Sequence, residues 1–263
     1  MRCGNCKSIY VEPVPDQLTY SIMYSKKEYH DRHYSLSKNS KQSGYAESIN
    51  LLMQHINPGD AVLDYGCGTG SFLKLLRLQG VFPVGVEFDM NVALIAADYS
   101  QCEVIPVEVF DKLTRVPRYE AIHLGDVLEH LANPKDTLEH LLLHLKPGGV
   151  LFVEGPLETN PSPIFWASRA FGALKRLVIT NFLSNDPPTH LFRTNANAQK
   201  AFFNRVDPSL KVRHWQIYET GWPYAQGGFV KRCIAVFAIF IGGRRIAGIT
   251  FGNRFKAILL KSE

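Results

Sequence analysis

The feature that most constrains the fold of this chain is a glycine-rich turn between an apolar run and an amphipathic segment. Residues 62–70 read VLDYGCGTG, so three glycines alternate behind Asp64. Glycine lacks a Cβ atom and adopts positive φ readily, which lets backbone approach a ligand closely. Residues 71–78 (SFLKLLRL) favour a helix, and a helix N-terminus offers free N–H groups to an anionic group. The sequence therefore predicts a strand, a tight turn and a helix, with a ligand at the turn.

The spacing of these glycines argues against a dinucleotide. The dinucleotide fingerprint is G-x-G-x-x-G/A, but here Gly66 and Gly68 are followed by Ser71 at the last position. A second predicted strand, residues 82–87, ends in Glu87. This acid lies about 20 residues after the turn, where a carboxylate can hydrogen-bond ribose hydroxyls. An NAD or nucleotide-sugar enzyme is therefore a weak alternative.

Two further segments continue the pattern. Residues 119–130 read YEAIHLGDVLEH, and residues 146–154 read KPGGVLFVE. With the glycine turn and Glu87 they form four blocks in order within residues 45–155. In these blocks the chain resembles the class I S-adenosylmethionine-dependent methyltransferases of small-molecule and polysaccharide biosynthesis, which carry VLDxGCGxG, VLEHL and KPGG motifs.

The resemblance implies a cofactor and a set of residues that bind it. The cofactor is S-adenosylmethionine, and the expected binding residues are Asp64, Gly66, Cys67, Gly68, Gly70, Glu87, Glu108, Asp126 and Val127. Asp64 and the turn would hold the methionine portion, Glu87 the ribose, and residues 107–110 the adenine. Cys67 is expected to be a small packing residue, since no basic neighbour lowers its pKa. No metal ligand is expected at this site.

Alternating elements predict an α/β fold. Strands are expected at residues 61–65, 82–87, 102–107, 119–125 and 149–154, with helices between them. Such alternation implies a Rossmann-like, doubly wound and mostly parallel sheet with helices on both faces. A helix at residues 196–206 and strands at residues 211–219 and 249–260 would complete it with an antiparallel C-terminal strand. A proline-rich stretch, about residues 156–200, is expected to form a lid insertion.

An acceptor base is expected among the histidines. His190 lies in a segment, residues 187–192 (PPTHLF), that is similar to the family's segment near the acceptor, and His130 follows the fourth predicted strand. Histidine titrates near neutrality and suits removal of a proton from a hydroxyl. His190 and His130 are therefore the candidate catalytic residues, although either could serve local structure. His123, inside an apolar strand, is expected to be a core residue.

Composition limits the class of protein. The 263 residues can hold one sizeable α/β domain, and 46% hydrophobic residues suit a globular core. A net charge of +5 is mild, so no nucleic-acid partner is expected. The five cysteines, an odd number, fit a reducing cytoplasm better than a disulfide scaffold. The first residues lack the apolar core of a signal peptide.

The N-terminal 40 residues differ from the rest, so the predicted division is an appendage at residues 1–40 and a methyltransferase domain at residues 41–263. The appendage holds Cys3 and Cys6 and a run rich in tyrosine and histidine at residues 20–34. Relatives often carry a zinc ribbon with two cysteine pairs here. One pair fills only half of a tetrahedral site, so a remnant ribbon without stable metal is expected. Zinc completed by histidine or a partner, or a redox pair, stays open.

The C-terminal quarter combines an apolar run with basic flanks. Residues 233–241 are continuously apolar, and residues 231–245 include four basic side chains and no acid. The run is about half the length of a membrane span. The favoured interpretation is a core segment that leads to the final strand. The alternative is peripheral contact of residues 231–245 with an anionic membrane.

These patterns predict an enzyme that transfers a methyl group from S-adenosylmethionine to a small-molecule or sugar-type acceptor. The alternative is a module that keeps the cofactor fold and has lost or never had the chemistry, because a fold does not fix a function. Both the enzyme and the non-catalytic module would bind S-adenosylmethionine, but only the enzyme would turn it over. The identity of the acceptor, and whether its nucleophile is oxygen, nitrogen or carbon, is not encoded in any motif.

Overall fold

The structure, a computed structural model, describes residues 1–4, 8–16, 18–19, 40–113, 119–178 and 190–262. Its strands are β1 Ile9–Tyr10, β2 Ala61–Tyr65, β3 Phe82–Glu87, β4 Glu103–Pro106, β5 Tyr119–Gly125, β6 Leu145–Pro156, β7 Phe192–Arg193, β8 Lys211–Tyr218, β9 Arg245–Ile246, β10 Ile249–Thr250 and β11 Arg254–Leu260. Its α-helices are α1 Ser40–Leu52, α2 Ser71–Leu78, α3 Met90–Ser100, α4 Val107–Phe110, α5 Pro134–His144, α6 Pro163–Val178, α7 Ala196–Val206 and α8 Phe229–Ile241.

The central sheet of the described residues has seven strands in the order β4-β3-β2-β5-β6-β11-β8. The strands from β4 to β6 are parallel, whereas β11 runs antiparallel to both β6 and β8. The chain starts in the middle at β2, runs outward to β4, and then returns to the other side of β2 as β5. The carboxyl ends of β2 and β5 therefore form a topological switch point, which is where ligands bind in open α/β sheets.

Two apolar layers cover the sheet, one on each face. Consecutive residues of β5 pack in opposite layers, with Ile122 in one layer and Ala121 in the other. The first layer includes Leu138 and Leu141 of α5, and the second includes Leu52 of α1 and Phe72 of α2. Helices thus lie on both faces, and the doubly wound α/β fold with an antiparallel C-terminal strand is confirmed.

Most predicted elements are found, and one is wrong. Strands β2, β3 and β5 and helix α7 have the predicted bounds, while β6 extends beyond its predicted ends. The single strand predicted at residues 249–260 is in fact broken at residues 251–253. Its first part turns back to pair with β9 through Ala247 and Gly248, which both have positive φ. Asn160 then donates to the carbonyls of Thr250 and Gly252, which fixes the break.

The N-terminal segment packs against the predicted methyltransferase domain. Strand β1 pairs antiparallel with β7, and the Val11 amide donates to the Leu191 carbonyl at 3.0 Å. Cys3 is half-buried, and its amide donates to the Ser8 carbonyl at 2.8 Å. Cys6 and the tyrosine- and histidine-rich run lie outside the described residues. The remnant zinc ribbon, the division at residue 40 and the lid at about residues 156–200 therefore remain predictions.

Candidate active site

The glycine turn between β2 and α2 is tightly folded. Gly66, Gly68 and Gly70 have φ angles of 80°, 54° and 78°, a region that disfavours other residues. A Cβ at Gly66 would lie 2.4 Å from a methyl of Val127, and one at Gly70 would lie 2.7 Å from the Ala96 carbonyl oxygen. The space and the backbone angles therefore both require glycine at Gly66 and Gly70, while at Gly68 the backbone angle favours it.

Cys67 contributes packing and backbone to this turn. The amides of Gly66 and Cys67 both donate to the Val86 carbonyl, at 2.8 and 3.0 Å, which ties the turn to the end of β3. The Cys67 thiol is buried against Leu73 and Ala96, and burial raises its pKa. Its thiol is therefore protonated and chemically quiet, in line with a packing role.

Glu87 closes the turn from the end of β3. Its Oε2 accepts a hydrogen bond from the Gly68 amide at 2.8 Å, and its Oε1 accepts one from the Phe88 amide at 2.9 Å. Burial raises the pKa of Glu87, although these backbone donors act in the opposite direction. The carboxylate lies beside the glycine turn, as the predicted contact with ribose requires. That contact itself stays a prediction.

Asp64 belongs to a buried network. Its Oδ1 lies 2.7 Å from Nδ1 of His123, whose Nε2 lies 3.4 Å from Oε1 of Glu154. Ser48 donates to the second oxygen of Glu154 at 2.8 Å. Burial lowers the pKa of His123, but the two carboxylates outweigh it and raise that pKa to about 9. His123 is a core residue, as predicted, while Asp64 could reach a ligand only through its other oxygen.

The loop after β5 meets the glycine turn. Val127 lies against Gly66, so these two predicted site residues come together. Asp126 is half-exposed at a positive φ of 55°, and its Oδ1 accepts a hydrogen bond from Nη2 of Arg254 at 2.6 Å. Burial opposes the charge of Arg254, but Asp126 and Tyr218 outweigh it and raise the pKa of Arg254. This pair closes one side of the switch point.

The predicted adenine border, residues 107–110, forms the short helix α4. Glu108 is exposed in the first turn of this helix. Phe110 is fully buried and packs on Tyr65 and His144, because α4 turns its last residue into the core. The contact of this segment with adenine stays a prediction.

A second histidine cluster lies beyond the loop after β5. The His130 and His190 rings meet edge to face with centroids 4.8 Å apart. Nδ1 of His190 hydrogen-bonds Oε1 of Glu158, whose other oxygen lies 2.7 Å from Nε of Arg193. Burial lowers the pKa of His190, but Glu158 and Glu129 outweigh it, so the net shift is upward. The two predicted catalytic histidines are therefore neighbours, and carboxylates surround them.

Glu129 is the buried acid of this cluster. It is 6% exposed, and burial together with the charge of Asp126 raises its pKa to about 8. Glu129, His130 and His190 each place a ligand atom within 4.8 Å of the others, so they could hold a cation. The sequence led us to expect no metal ligand here. Three ligands leave a tetrahedral zinc site one short.

Sequence reasoning missed Glu129, Glu158 and Arg254. The position of Glu129 directly before His130, in the LEH segment, was the available signal. Glu158 and Arg254 carry no motif, because they reach the site through the loop after β6 and through an antiparallel strand distant in sequence. Their roles depend on tertiary contacts alone.

Comparison with known proteins identifies the family. The model of the methyltransferase-domain family matches residues 37–200, more than half of the chain, and the chain belongs to this family. The ubiquinone biosynthesis O-methyltransferase of Coxiella burnetii is 28% identical over 103 residues, which cover 36% of this chain and 42% of that protein. Phosphoethanolamine N-methyltransferase 1 of Zea mays is 27% identical over 130 residues, which cover 46% of this chain and 26% of that protein. The matches span less than half of either relative.

Solved structures agree on the fold. Magnesium protoporphyrin IX methyltransferase from Synechocystis PCC 6803, solved with bound SAH, superposes with a TM-score of 0.63 at 14% identity, covering 94% of this chain and 100% of that one. An S-adenosylmethionine-dependent methyltransferase from Archaeoglobus fulgidus superposes with a TM-score of 0.57 at 16% identity, and the match covers 89% of this chain and 98% of that one. These structures agree on the fold, and the match of the family model confirms the predicted methyltransferase family.

Proposed function

We propose that this protein transfers the methyl group of S-adenosylmethionine to a hydroxyl of a small-molecule acceptor. The observation that carries the proposal is the convergence of the glycine turn, Glu87 and the cluster around His190 near one switch point of the sheet. The relatives named above act in ubiquinone biosynthesis and on phosphoethanolamine, both small-molecule chemistries, and the first is an O-methyltransferase. A hydroxyl acceptor also fits a site that contains a carboxylate-oriented histidine.

The cofactor fits the residues at the turn. Three glycines at positive φ shape the turn, and a Cβ at Gly66 or Gly70 would collide with Val127 or with the Ala96 backbone and distort it. In the proposal the turn and Val127 hold the methionine portion and Glu87 accepts from the ribose hydroxyls. When bound, S-adenosylmethionine supplies an activated methyl group on sulfur, and the protein supplies position and a site with little water.

His190 is the proposed general base. Glu158 holds the Nδ1 position, which leaves Nε2 to take the proton of an acceptor hydroxyl, and it stabilises the imidazolium that forms. His130, edge-on to His190, confines the ring. Peripheral membrane contact through residues 231–245 is a separate proposal about where such an acceptor resides.

Cofactor binding tests the first half of the proposal. Glu87→Gln should weaken S-adenosylmethionine binding by about 1.5–3 kcal/mol, since charge-assisted hydrogen bonds to the ribose are lost. Glu108→Gln is the matched control, because this acid is exposed, and it should bind normally. Isothermal titration calorimetry measures both, with thermal unfolding as a check on folding. Equal affinity in the two variants would remove Glu87 from the site.

Turnover tests the second half. When the protein and S-adenosylmethionine are incubated with hydroxylated, amine and carbon acceptors in turn, S-adenosylhomocysteine should form with a hydroxylated acceptor. Binding of S-adenosylmethionine without turnover on any acceptor would favour the non-catalytic module. A preference for NAD over S-adenosylmethionine in a thermal-shift assay would contradict both.

A further inference from the structure

Helix α8 exposes far more apolar surface than it buries. Only Ala235, Ala238 and Ile241 of this helix are buried. Its large exposed apolar side chains are Phe229, Val230, Val236, Phe237, Ile239 and Phe240. Phe229 is 82% exposed and Phe240 61%. The favoured prediction of a core segment at residues 233–241 is therefore wrong, because the run is a helix that buries one narrow stripe of small residues.

Helix α6 packs beside α8 and extends the same surface. Ile164 of α6 packs in one cluster with Tyr224, Ala235 and Ala238. The exposed side of α6 carries Trp166, Phe171 and Leu174, which are about half-exposed or more. The β9–β10 hairpin adds Ile246 and Ile249, and Trp166 meets Phe251 beside it at 5.7 Å between ring centroids. We call the outward sides of α6, α8 and this hairpin the helical rim. Apolar surface on this scale marks an interaction site.

The charge of the helical rim is of one sign. Residues 159–185 and 220–262 contain no aspartate or glutamate. The exposed basic residues within them include Arg169, Lys175, Lys231, Arg232, Arg244 and Arg245. The guanidinium of Arg244 lies 4.0 Å from the ring centre of Phe240, so cationic and apolar groups are intermixed. Its partner should therefore be both apolar and anionic.

We propose that the helical rim docks on the surface of an anionic lipid bilayer. Aromatic and aliphatic side chains would enter the acyl boundary, while the lysines and arginines meet lipid phosphates. A second copy of this chain fits less well, because a twofold interface would place the same basic residues opposite each other. None of the helices in the described ranges is long and apolar enough to cross a bilayer, so contact would be peripheral.

The helical rim lies beside the candidate active site, so docking would determine which acceptors can reach that site. Helix α6 begins shortly after Pro156, the last residue of β6, and Pro156 pairs with Arg254 at the start of β11. Arg254 in turn bonds Asp126 beside the glycine turn. The rim therefore borders the end of the sheet that carries the candidate active site. A docked enzyme would present this end to the lipid surface, where a lipid-linked acceptor could reach it. The docking itself requires no methyl transfer.

Vesicle co-sedimentation tests the proposal on the full chain. The protein should pellet with vesicles that contain phosphatidylglycerol at low salt, remain in the supernatant with phosphatidylcholine alone, and be released at high salt. Two double variants should each bind the phosphatidylglycerol vesicles at least about tenfold more weakly than the parent. They are Phe229→Ser/Phe240→Ser and Arg232→Glu/Arg245→Glu. Matched controls are Leu94→Ser/Ile95→Ser on α3 and Lys211→Glu/Arg213→Glu on β8. These residues are also exposed, and the variants should partition as the parent does.

Three results would overturn the docking. The first is that the parent protein stays in the supernatant with every vesicle. The second is that the control variants lose as much vesicle binding as the rim variants. The third is that vesicle binding does not depend on lipid charge or salt. Sedimentation velocity adds a fourth: a stable dimer of the parent that Phe229→Ser/Phe240→Ser dissociates, without vesicle binding, would assign the rim to a second copy. Calorimetry with S-adenosylmethionine confirms that each variant is folded, so a failure here leaves the proposed activity untouched.

Discussion

Two histidine–carboxylate networks in this protein use the same chemical groups and differ in burial. His123 lies between Asp64 and Glu154 inside the sheet and is 2% exposed. His190 lies between Glu158 and Glu129 at the edge of the site and is only half-buried. Carboxylates raise the pKa of both histidines. A raised pKa alone therefore does not identify a base, because a histidine must also be reachable by the acceptor.

The largest expected effect concerns His190. If it is the general base, His190→Asn should lower kcat by about 10²–10⁴-fold, since general-base catalysis contributes that much. S-adenosylmethionine affinity should be unchanged. His55→Asn, at an exposed histidine, is the control and should keep parent turnover. The measurement is S-adenosylhomocysteine release with the acceptor found in the screen. Loss of less than about tenfold would give His190 a structural role like that of His123.

The pH profile separates the two roles of His190 further. A base must be deprotonated, so kcat should rise with pH through the pKa of His190, which lies above its ordinary value of 6.5. Glu158→Gln removes the carboxylate that raises this pKa, and the rising limb should move to lower pH. An unmoved limb in Glu158→Gln would show that another group controls the rate.

His123 should matter for stability and not directly for chemistry. His123→Ala leaves Asp64 and Glu154 buried and unpaired, and breaking a buried ion pair costs about 3–5 kcal/mol. His190→Ala should cost less than about 1 kcal/mol, because its ion pair is partly solvated. Urea denaturation gives both values. Equal losses in the free energy of unfolding would contradict the difference between the two networks that we attribute to burial.

The pH dependence of stability should carry the signature of His123. Its folded pKa of about 9 exceeds its ordinary value of 6.5, so its contribution is complete below pH 6.5 and is lost as pH rises through 9. Between these values the folded state keeps a proton that the unfolded state has released. The free energy of unfolding should then fall by up to about 1.4 kcal/mol per pH unit. A conservative His123→Gln variant should lack this slope, and a shared slope would assign it to other groups.

The smallest expected effect concerns Glu129. Near pH 4.5 its carboxyl is protonated in the folded state and about half protonated in the unfolded state, so Glu129→Gln should change stability there by less than about 0.5 kcal/mol. Between the ordinary pKa of 4.5 and the folded pKa of about 8 only the unfolded carboxyl is ionised, which destabilises the parent, so the variant should become the more stable of the two as pH rises. Denaturation of both at pH 4.5 and 8 checks this. A variant that gains nothing over the parent across this range would mean that Glu129 is ionised and paired in the folded state.

The sequence predicted the part of the fold that local patterns encode. The glycine turn, Glu87 and the strands β2, β3 and β5 follow from spacing and strand ends, because parallel strands place their carboxyl ends together. Helix α8 was misread, since nine apolar residues look alike whether they are buried or exposed. The pairing of Asp64 with His123 and of Glu158 with His190 could not be predicted, because register and loop conformation bring these side chains together.

The pairing of β1 with β7 has a consequence for the behaviour of the protein on warming. His190 lies two residues before β7, and the ladder pairs Ile9 with Arg193 and Tyr10 with Phe192. A two-stranded ladder is marginally stable by itself, and local opening requires much less free energy than global unfolding. Heating should therefore release His190 while the seven-stranded sheet still binds cofactor. The temperature optimum of turnover would then be set by this small ladder and would lie below the melting temperature of the sheet.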